Sequence, residues 1–148
     1  MDAVTSVPTP VNEPVNTYAP GSAERARLRI RLDELRANPV RIHQVIGGVH
    51  RDAAGTDTDV VEPHKHASVI GSFAEATHRD VQDAISAATA AAPAWRDLPF
   101  DERAAVFLRA ADLLSGPWRE RIAAATMLGQ SKSAYQAEID APCELIDF

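Results

Sequence analysis

Cysteine is nearly absent from this sequence of 148 residues, in which Cys143 stands alone. A single thiol excludes an intramolecular disulfide framework and cannot by itself form a thiolate zinc cluster. Basic residues are also few, with 15 Lys and Arg against 21 Asp and Glu and a formal net charge of −6. Because the chain lacks a global positive field, we expect neither nucleic acid nor an anionic membrane surface as a partner.

Long hydrophobic runs are missing as well. No stretch approaches the roughly 20 apolar residues that a helix needs to span a bilayer. Residues 1–20 contain Asp2, Glu13 and several prolines, without the basic and apolar segments of a secretory signal or the Arg-rich pattern of a transit peptide. These absences, together with the lone cysteine, predict a soluble cytoplasmic protein.

The residues that are present fit a folded protein. Hydrophobic residues make up 45% and charged residues 24%, which is typical of soluble globular domains. The length allows one domain or part of a larger one. We divide the chain into an extended N-terminal arm, residues 1–21, and an incomplete globular portion, residues 22–148. The arm contains four prolines that oppose a helix, namely Pro8, Pro10, Pro14 and Pro20.

The globular portion begins with a helix and a group of strands. Ser22 is a suitable N-cap for a helix whose leucines recur at helical spacing as far as Ala37, and Asn38-Pro39 ends it. We interpret the arginines of this helix as its solvated face. Between residues 40 and 76, short apolar pairs alternate with Gly, Asp and Pro, which predicts two to four short strands in hairpins.

Residues 77–148 are predicted to form a helical block. Thr77 and Asp80 have the spacing of a capping box. A second helix begins near Pro99 and is interrupted at Gly116-Pro117, and the last helix begins between Ser131 and Ser133. The residues expected to face the core of this block include Trp95, Ala105, Leu108, Ala111, Leu114 and Trp118.

Three features of the sequence are candidate sites. His64-Lys65-His66 lacks a nearby ligand at suitable spacing, and alternate side chains of an extended segment point to opposite faces, so a surface loop is favoured over a metal site. Residues 129–133 (GQSKS) lack the first glycine of a phosphate loop. Cys143 has acidic neighbours that raise the pKa of its thiol, which favours a packed helix residue over a nucleophile.

The C-terminal helix contains a pair of carboxylates. Asp140 and Glu144 are four residues apart and share a helical face. Such a pair can raise one pKa for acid–base chemistry, but an ordinary solvated face has the same pattern. Residues 143–148 continue an amphipathic helix without a capping Gly or Asn, which predicts a truncated polypeptide. From these residues alone, no reaction can be named.

Three stretches of the helical block carry a family resemblance: residues 98–119 (LPFDERAAVFLRAADLLSGPWR), 123–132 (AAATMLGQSK) and 136–148 (QAEIDAPCELIDF). Shorter motifs precede them in the same order, namely NEPV at 12–15, GSAER at 21–25, IGG at 46–48 and PHKH at 63–66. Together they resemble aldehyde dehydrogenases, specifically the 1-pyrroline-5-carboxylate dehydrogenase (L-glutamate γ-semialdehyde dehydrogenase) branch. The resemblance covers nearly the whole chain from about residue 12.

The resemblance implies an α/β fold of the aldehyde dehydrogenase type. This segment would be the N-terminal part of its NAD-binding domain, mostly α-helical with a few short strands. In that family a thiolate attacks the semialdehyde, hydride passes to NAD⁺, and water releases L-glutamate, which is a step of proline degradation. The resemblance also implies a homo-oligomer that acts on a small-molecule substrate.

The family's nucleophile, general base, oxyanion-binding Asn and NAD-binding residues would lie beyond Phe148. We therefore assign no catalytic, cofactor-binding or metal-binding residue in this chain and predict that it is inactive alone. Glu144 matches a carboxylate on the helix that borders the substrate tunnel, so the resemblance implies a substrate-binding role for it. One alternative is a non-catalytic helical interaction module that binds or regulates full-length subunits, and another is metal binding by the histidines.

Overall fold

The computed structural model describes residues 9–148, so the start of the arm, including Pro8, lies outside the described residues. Residues 9–19 contain neither helix nor strand and are followed by a turn at Pro20-Gly21. Five strands and six α-helices then follow within the described residues. Their order is α1 Ala23–Ala37, β1 Val40–Ile42, β2 Gln44–Ile46, β3 Val49–Arg51, β4 Asp57–Glu62, β5 Lys65–Ala74, α2 His78–Asp97, α3 Phe100–Ser115, α4 Arg119–Gln130, α5 Ala134–Glu138 and α6 Glu144–Asp147.

The first helix has the predicted limits. The Ser22 hydroxyl accepts a hydrogen bond from the backbone N–H of Arg25, and Asn38 ends the helix. Leu28 is buried at the centre of its inner face. Its arginines are exposed, as predicted for a solvated face, and two of them also form ion pairs: Arg27 with Glu120 of α4 and Arg36 with Glu62 of β4.

The strands form two small sheets. β2 and β3 are an antiparallel hairpin joined by Gly47 and Gly48, whose φ angles of 58° and 79° suit the tight turn that the sequence indicates. β5 pairs antiparallel with β4 and parallel with β1. Gly71 is an interior residue of its strand. It lies within β5, where an added Cβ would come within 2.7 Å of the Val40 carbonyl oxygen of β1.

The core lies where the arm, α1, α4 and α5 meet. Its buried members are Tyr18, Leu28, Ala123, Ala124 and Ala137, with Leu32, Leu35, Met127 and Ala134 packed around them. The small residues of α4 allow α1 to approach closely, and Tyr18 of the arm fills the space beside them. The arm is therefore laid over the helices through a buried aromatic side chain.

Several of the predicted core positions are exposed. Leu108 is 68% exposed, and Trp95 and Trp118 are 40% and 43% exposed, so their assignment to the core of this block is wrong. Trp95 contacts Phe107 edge-on, with ring centroids 6.4 Å apart, and the Arg121 guanidinium lies over the Trp118 ring. The periodicity of α2 and α3 identifies their apolar faces, but α4 and α5 do not cover them.

Candidate functional site

The C-terminal helix, which carries Glu144, is interrupted in its middle. α5 starts at a capping box formed by Ser133 and Gln136. One π-helical turn, Ile139–Cys143, then separates α5 from α6. Pro142 explains the interruption, because it has no N–H to donate to the carbonyl four residues earlier and its ring would collide with that carbonyl.

Glu144 begins α6 and points to solvent. Within residues 9–148 its carboxylate forms no salt bridge, whereas Asp140 binds the Lys132 ammonium with an N–O distance of 2.8 Å. The two carboxylates are therefore differently engaged and do not form a joint acid–base pair. Glu144 remains available to a ligand, and its substrate-binding role stays a prediction.

A buried ion cluster lies beneath the interrupted helix. The Arg119 side chain, only 8% exposed, donates from Nε and Nη2 to Glu138 Oε1 at 3.0 and 2.5 Å. Its Nη1 donates to Glu13 of the arm, and Nη2 also donates to the Pro14 carbonyl oxygen at 2.6 Å. Although burial lowers the pKa of Arg119, its hydrogen bonds to Glu138 and Glu13 raise it overall, so the guanidinium stays charged.

Tyr18 completes this cluster from the arm. Its hydroxyl donates to Glu138 Oε2 at 2.6 Å, and the backbone N–H of Asn16 donates to Glu138 Oε1 at 2.9 Å. Burial, followed by the hydrogen bond to Glu138, raises the pKa of Tyr18, so the phenol remains protonated. Glu138, whose side chain is fully buried, is thus satisfied on both oxygens. Sequence reasoning missed this cluster, because its contacts with the arm join residues that are 105 to 122 positions apart along the chain.

Cys143 lies beside the same cluster and is 5% exposed. Burial raises the pKa of its thiol, and the Glu138 carboxylate raises it further. The prediction that Cys143 is a packed residue is therefore confirmed. The raised pKa of its thiol, however, comes mainly from burial and Glu138 rather than from the acidic neighbours in sequence.

A second buried carboxylate, Glu62, lies at the end of β4. Its Oε1 accepts from Arg36 Nε at 2.8 Å and from the Ser68 hydroxyl at 2.8 Å, and Oε2 accepts from Arg36 Nη2 at 3.0 Å. These bonds, that from Arg36 foremost, lower the pKa of Glu62 to about 2. His64 Nε2 lies 3.0 Å from Oε2, and His64 Nδ1 lies 2.7 Å from the Ser131 hydroxyl.

The His64 contacts qualify the surface-loop prediction. His64 lies at the β4–β5 turn as expected, but a carboxylate does lie beside it, brought there by the hairpin. That carboxylate is already bound to Arg36, which competes with a cation. Among residues 9–148 there is no group of three His, Cys, Asp or Glu side chains that could hold a metal ion.

The described residues do not form a binding site for the phosphates of a dinucleotide. The helix that follows a strand of the parallel pair is α2, and its N-terminus is occupied by the chain's own carboxylate. Asp80 accepts from the Thr77 backbone N–H at 2.9 Å and from Gln44 at 2.8 Å, and bonds from Thr77 and Gln44 lower its pKa. A phosphate would have to displace this carboxylate, so these residues do not fit NAD, and no step of NAD binding is derived from them.

An open apolar groove of about 680 Å³ lies between α2, α3 and α6. Phe107 is 67% exposed and Phe148 fully exposed along it. The Arg103 Nε atom beside the groove is buried without a hydrogen-bond partner within the described residues. A buried donor without a partner and a large exposed apolar surface both indicate a surface that is built to be covered. The groove is lined by Trp95, Phe100, Arg103, Ala104, Phe107, Leu108, Ala110, Ala111 and Leu145–Phe148.

Comparison with known proteins places this geometry in a family. Residues 50–148 match the model of the aldehyde dehydrogenase family. The chain is 42% identical over 147 residues to the delta-1-pyrroline-5-carboxylate dehydrogenase of Agaricus bisporus, covering 99% of this chain and 27% of the relative. It is 43% identical over 140 residues to the human delta-1-pyrroline-5-carboxylate dehydrogenase, mitochondrial, covering 93% of this chain and 24% of the relative.

The fold comparison agrees. The structure of the Mycobacterium tuberculosis delta-pyrroline-5-carboxylate dehydrogenase bound with NAD superposes with a TM-score of 0.94 at 63% identity, covering 99% of this chain and 28% of that one. The predicted α/β fold of the aldehyde dehydrogenase type is therefore confirmed, with this segment mostly helical. In the part of the chain that the structure describes, no helix is long and apolar enough to cross a membrane. The chain spans about a quarter of the length of the curated relatives it matches, and it belongs to the aldehyde dehydrogenase family.

Proposed function

We propose that this chain is the N-terminal part of an NAD-dependent dehydrogenase that oxidises L-glutamate γ-semialdehyde (1-pyrroline-5-carboxylate) to L-glutamate in proline degradation. The observation that carries the proposal is the 63% identity over 99% of the chain to a dehydrogenase of that name. Fold alone would support only the family, since one fold can host many reactions. Identity of this extent supports the narrower substrate.

In this proposal the chain supplies substrate contacts and scaffold rather than the reacting groups. Glu144 is exposed and forms no salt bridge within residues 9–148, which suits a carboxylate that binds a substrate. Cys143 is buried with a raised thiol pKa, which is unsuited to a nucleophile. NAD⁺, when bound by the remainder of the enzyme, would supply the hydride acceptor. The chain alone is therefore predicted to be inactive.

A chimera tests the proposal. The chain is fused after Phe148 to the corresponding remainder of the M. tuberculosis relative, and NADH formation is followed with 1-pyrroline-5-carboxylate and NAD⁺. We expect activity from the chimera and none from the 148-residue chain or from a chimera whose nucleophile is replaced by serine. A folded chimera that oxidises simple aliphatic aldehydes but not 1-pyrroline-5-carboxylate would contradict the substrate, and NADH formed by the pure chain would contradict its inactivity.

A second candidate is the non-catalytic module that binds full-length subunits, which the open groove and the partnerless Arg103 Nε also favour. The two candidates differ in what the chain does to an intact enzyme. A module should bind the full-length relative and change its activity or assembly. A segment of the enzyme should instead complement a relative that lacks the corresponding quarter, which native mass spectrometry and the NADH assay distinguish.

Two further parts of the proposal concern assembly and location. We infer a homo-oligomer acting in the cytoplasm, although the human relative is named as mitochondrial. Sedimentation of the active chimera and fractionation of the source cells test these two parts separately.

A further inference from the structure

Glu144 lies at the start of a short helical segment that follows an irregular turn. α6 spans Glu144–Asp147, which is little more than one turn. At Pro142 the regular hydrogen bonds between α5 and α6 are replaced by the wider bonds of a π-helical turn. The Glu144 backbone N–H donates to the Ile139 carbonyl oxygen across the π-helical turn, so α6 continues from α5, and tertiary contacts add to this bond in setting the direction in which Glu144 points.

α6 packs against α3, and the Arg119 cluster contacts it on both sides of Glu144. On the N-terminal side, Cys143 Sγ lies 3.6 Å from Arg119 Nη2 and 3.9 Å from Glu138 Oε1. On the C-terminal side, the backbone N–H of Glu13 donates to Asp147 Oδ1 at 2.7 Å. The Glu13 carboxylate also binds Arg119. The Arg119 guanidinium therefore contacts both the start of α6 and the arm residue that binds the end of α6.

We propose, on the basis of the proposed function, that Arg119 is a positioning residue that aims the Glu144 carboxylate at the substrate. Arg119 does not touch the substrate in this proposal. It acts through Glu13, Glu138 and the interrupted helix. Its planar guanidinium makes bonds in several fixed directions at once, which the single ammonium of lysine cannot reproduce.

The test uses the chimera and a double-mutant cycle. We expect Arg119→Lys and Glu144→Gln each to raise the KM for 1-pyrroline-5-carboxylate about tenfold, with kcat within about twofold and the KM for NAD⁺ unchanged. The double variant should raise this KM no more than the more severe single change does, because a mispositioned carboxylate and a missing carboxylate have the same effect on substrate binding. Arg121→Lys, on the same helix but stacked on Trp118, is the matched control.

The double-mutant cycle distinguishes a positioning role of Arg119 from a merely structural one. Effects on KM that multiply in the double variant, or an equal fall of kcat in Arg119→Lys, would overturn the proposal. Hydrogen exchange of the chimera provides a readout besides activity: Arg119→Lys should speed exchange in residues 143–147, and Arg121→Lys should not. A wild-type chimera that binds NAD⁺ but forms no NADH would contradict the proposed function. Unchanged hydrogen exchange in Arg119→Lys would contradict only the positioning role.

Discussion

Buried carboxylates are paired at two places with arginines from other elements. Glu138 is held by Arg119, and Glu62 by Arg36, so each ion pair joins segments that are distant in sequence. Such pairs are strongly destabilising to break, because removing one partner leaves the other charge buried. These ion pairs contribute more to selecting which elements pack together than to the net free energy of unfolding.

Acid should destabilise the chain partly through Glu62. Its pKa is lowered from 4.5 to about 2 in the folded chain, so the unfolded chain binds more protons in acid. The contribution of Glu62 is therefore fully present above about pH 5 and is lost as the pH falls toward about 2. We expect Glu62→Gln to lower the free energy of unfolding at pH 7 by about 2 kcal/mol and to flatten its fall in acid.

Urea unfolding at a series of pH values measures this effect. Glu34→Gln, which removes an exposed carboxylate on α1, is the control and should change little. An acid-dependent loss of stability of unchanged size in Glu62→Gln would show that other carboxylates are responsible.

At the scale of elements, caps and breaks determine where each helix begins and ends. Ser22, Thr77 and Ser133 each accept a backbone N–H from the first turn of the following helix. Pro142 has the opposite effect and divides the last helix. The caps are readable from sequence because they depend on neighbours within about four residues, whereas the pattern indicated one continuous last helix and did not predict the break at Pro142.

The cap of α2 can be tested directly. Thr77→Ala removes the hydroxyl that accepts from the Asp80 N–H and should destabilise the chain by about 1 kcal/mol. Thr89→Ala, at an exposed position inside the same helix, should change stability by less than about 0.5 kcal/mol. Thermal unfolding measures both, and equal effects would mean that the cap does not limit the stability of α2.

At the scale of the whole molecule, the groove between α2, α3 and α6 is the largest uncovered apolar feature described above. Exposed apolar patches of this kind promote association. We therefore expect the isolated chain to sediment above its monomer mass of 15.9 kDa at micromolar concentrations. Phe107→Glu should shift it toward the monomer, because a charge in the groove opposes its burial.

Val49→Thr, at an exposed position on the distant β2–β3 hairpin, is the control for this prediction and should leave association unchanged. Loss of association in that variant as well would place the contact outside the groove. A monomeric wild-type chain would show that the groove alone does not drive association.

The sequence by itself determined the helices, their caps, the Gly47-Gly48 hairpin and the family, because these depend on short-range patterns and on motifs such as that of residues 136–148. The tertiary structure decided which apolar faces are covered, as Trp95, Leu108 and Trp118 show. Periodicity identifies an apolar face but not the element that packs on it. Only the fold could bring Glu13 and Tyr18 to Arg119 and Glu138, because those contacts join residues more than 100 positions apart whose spacing carries no local signal.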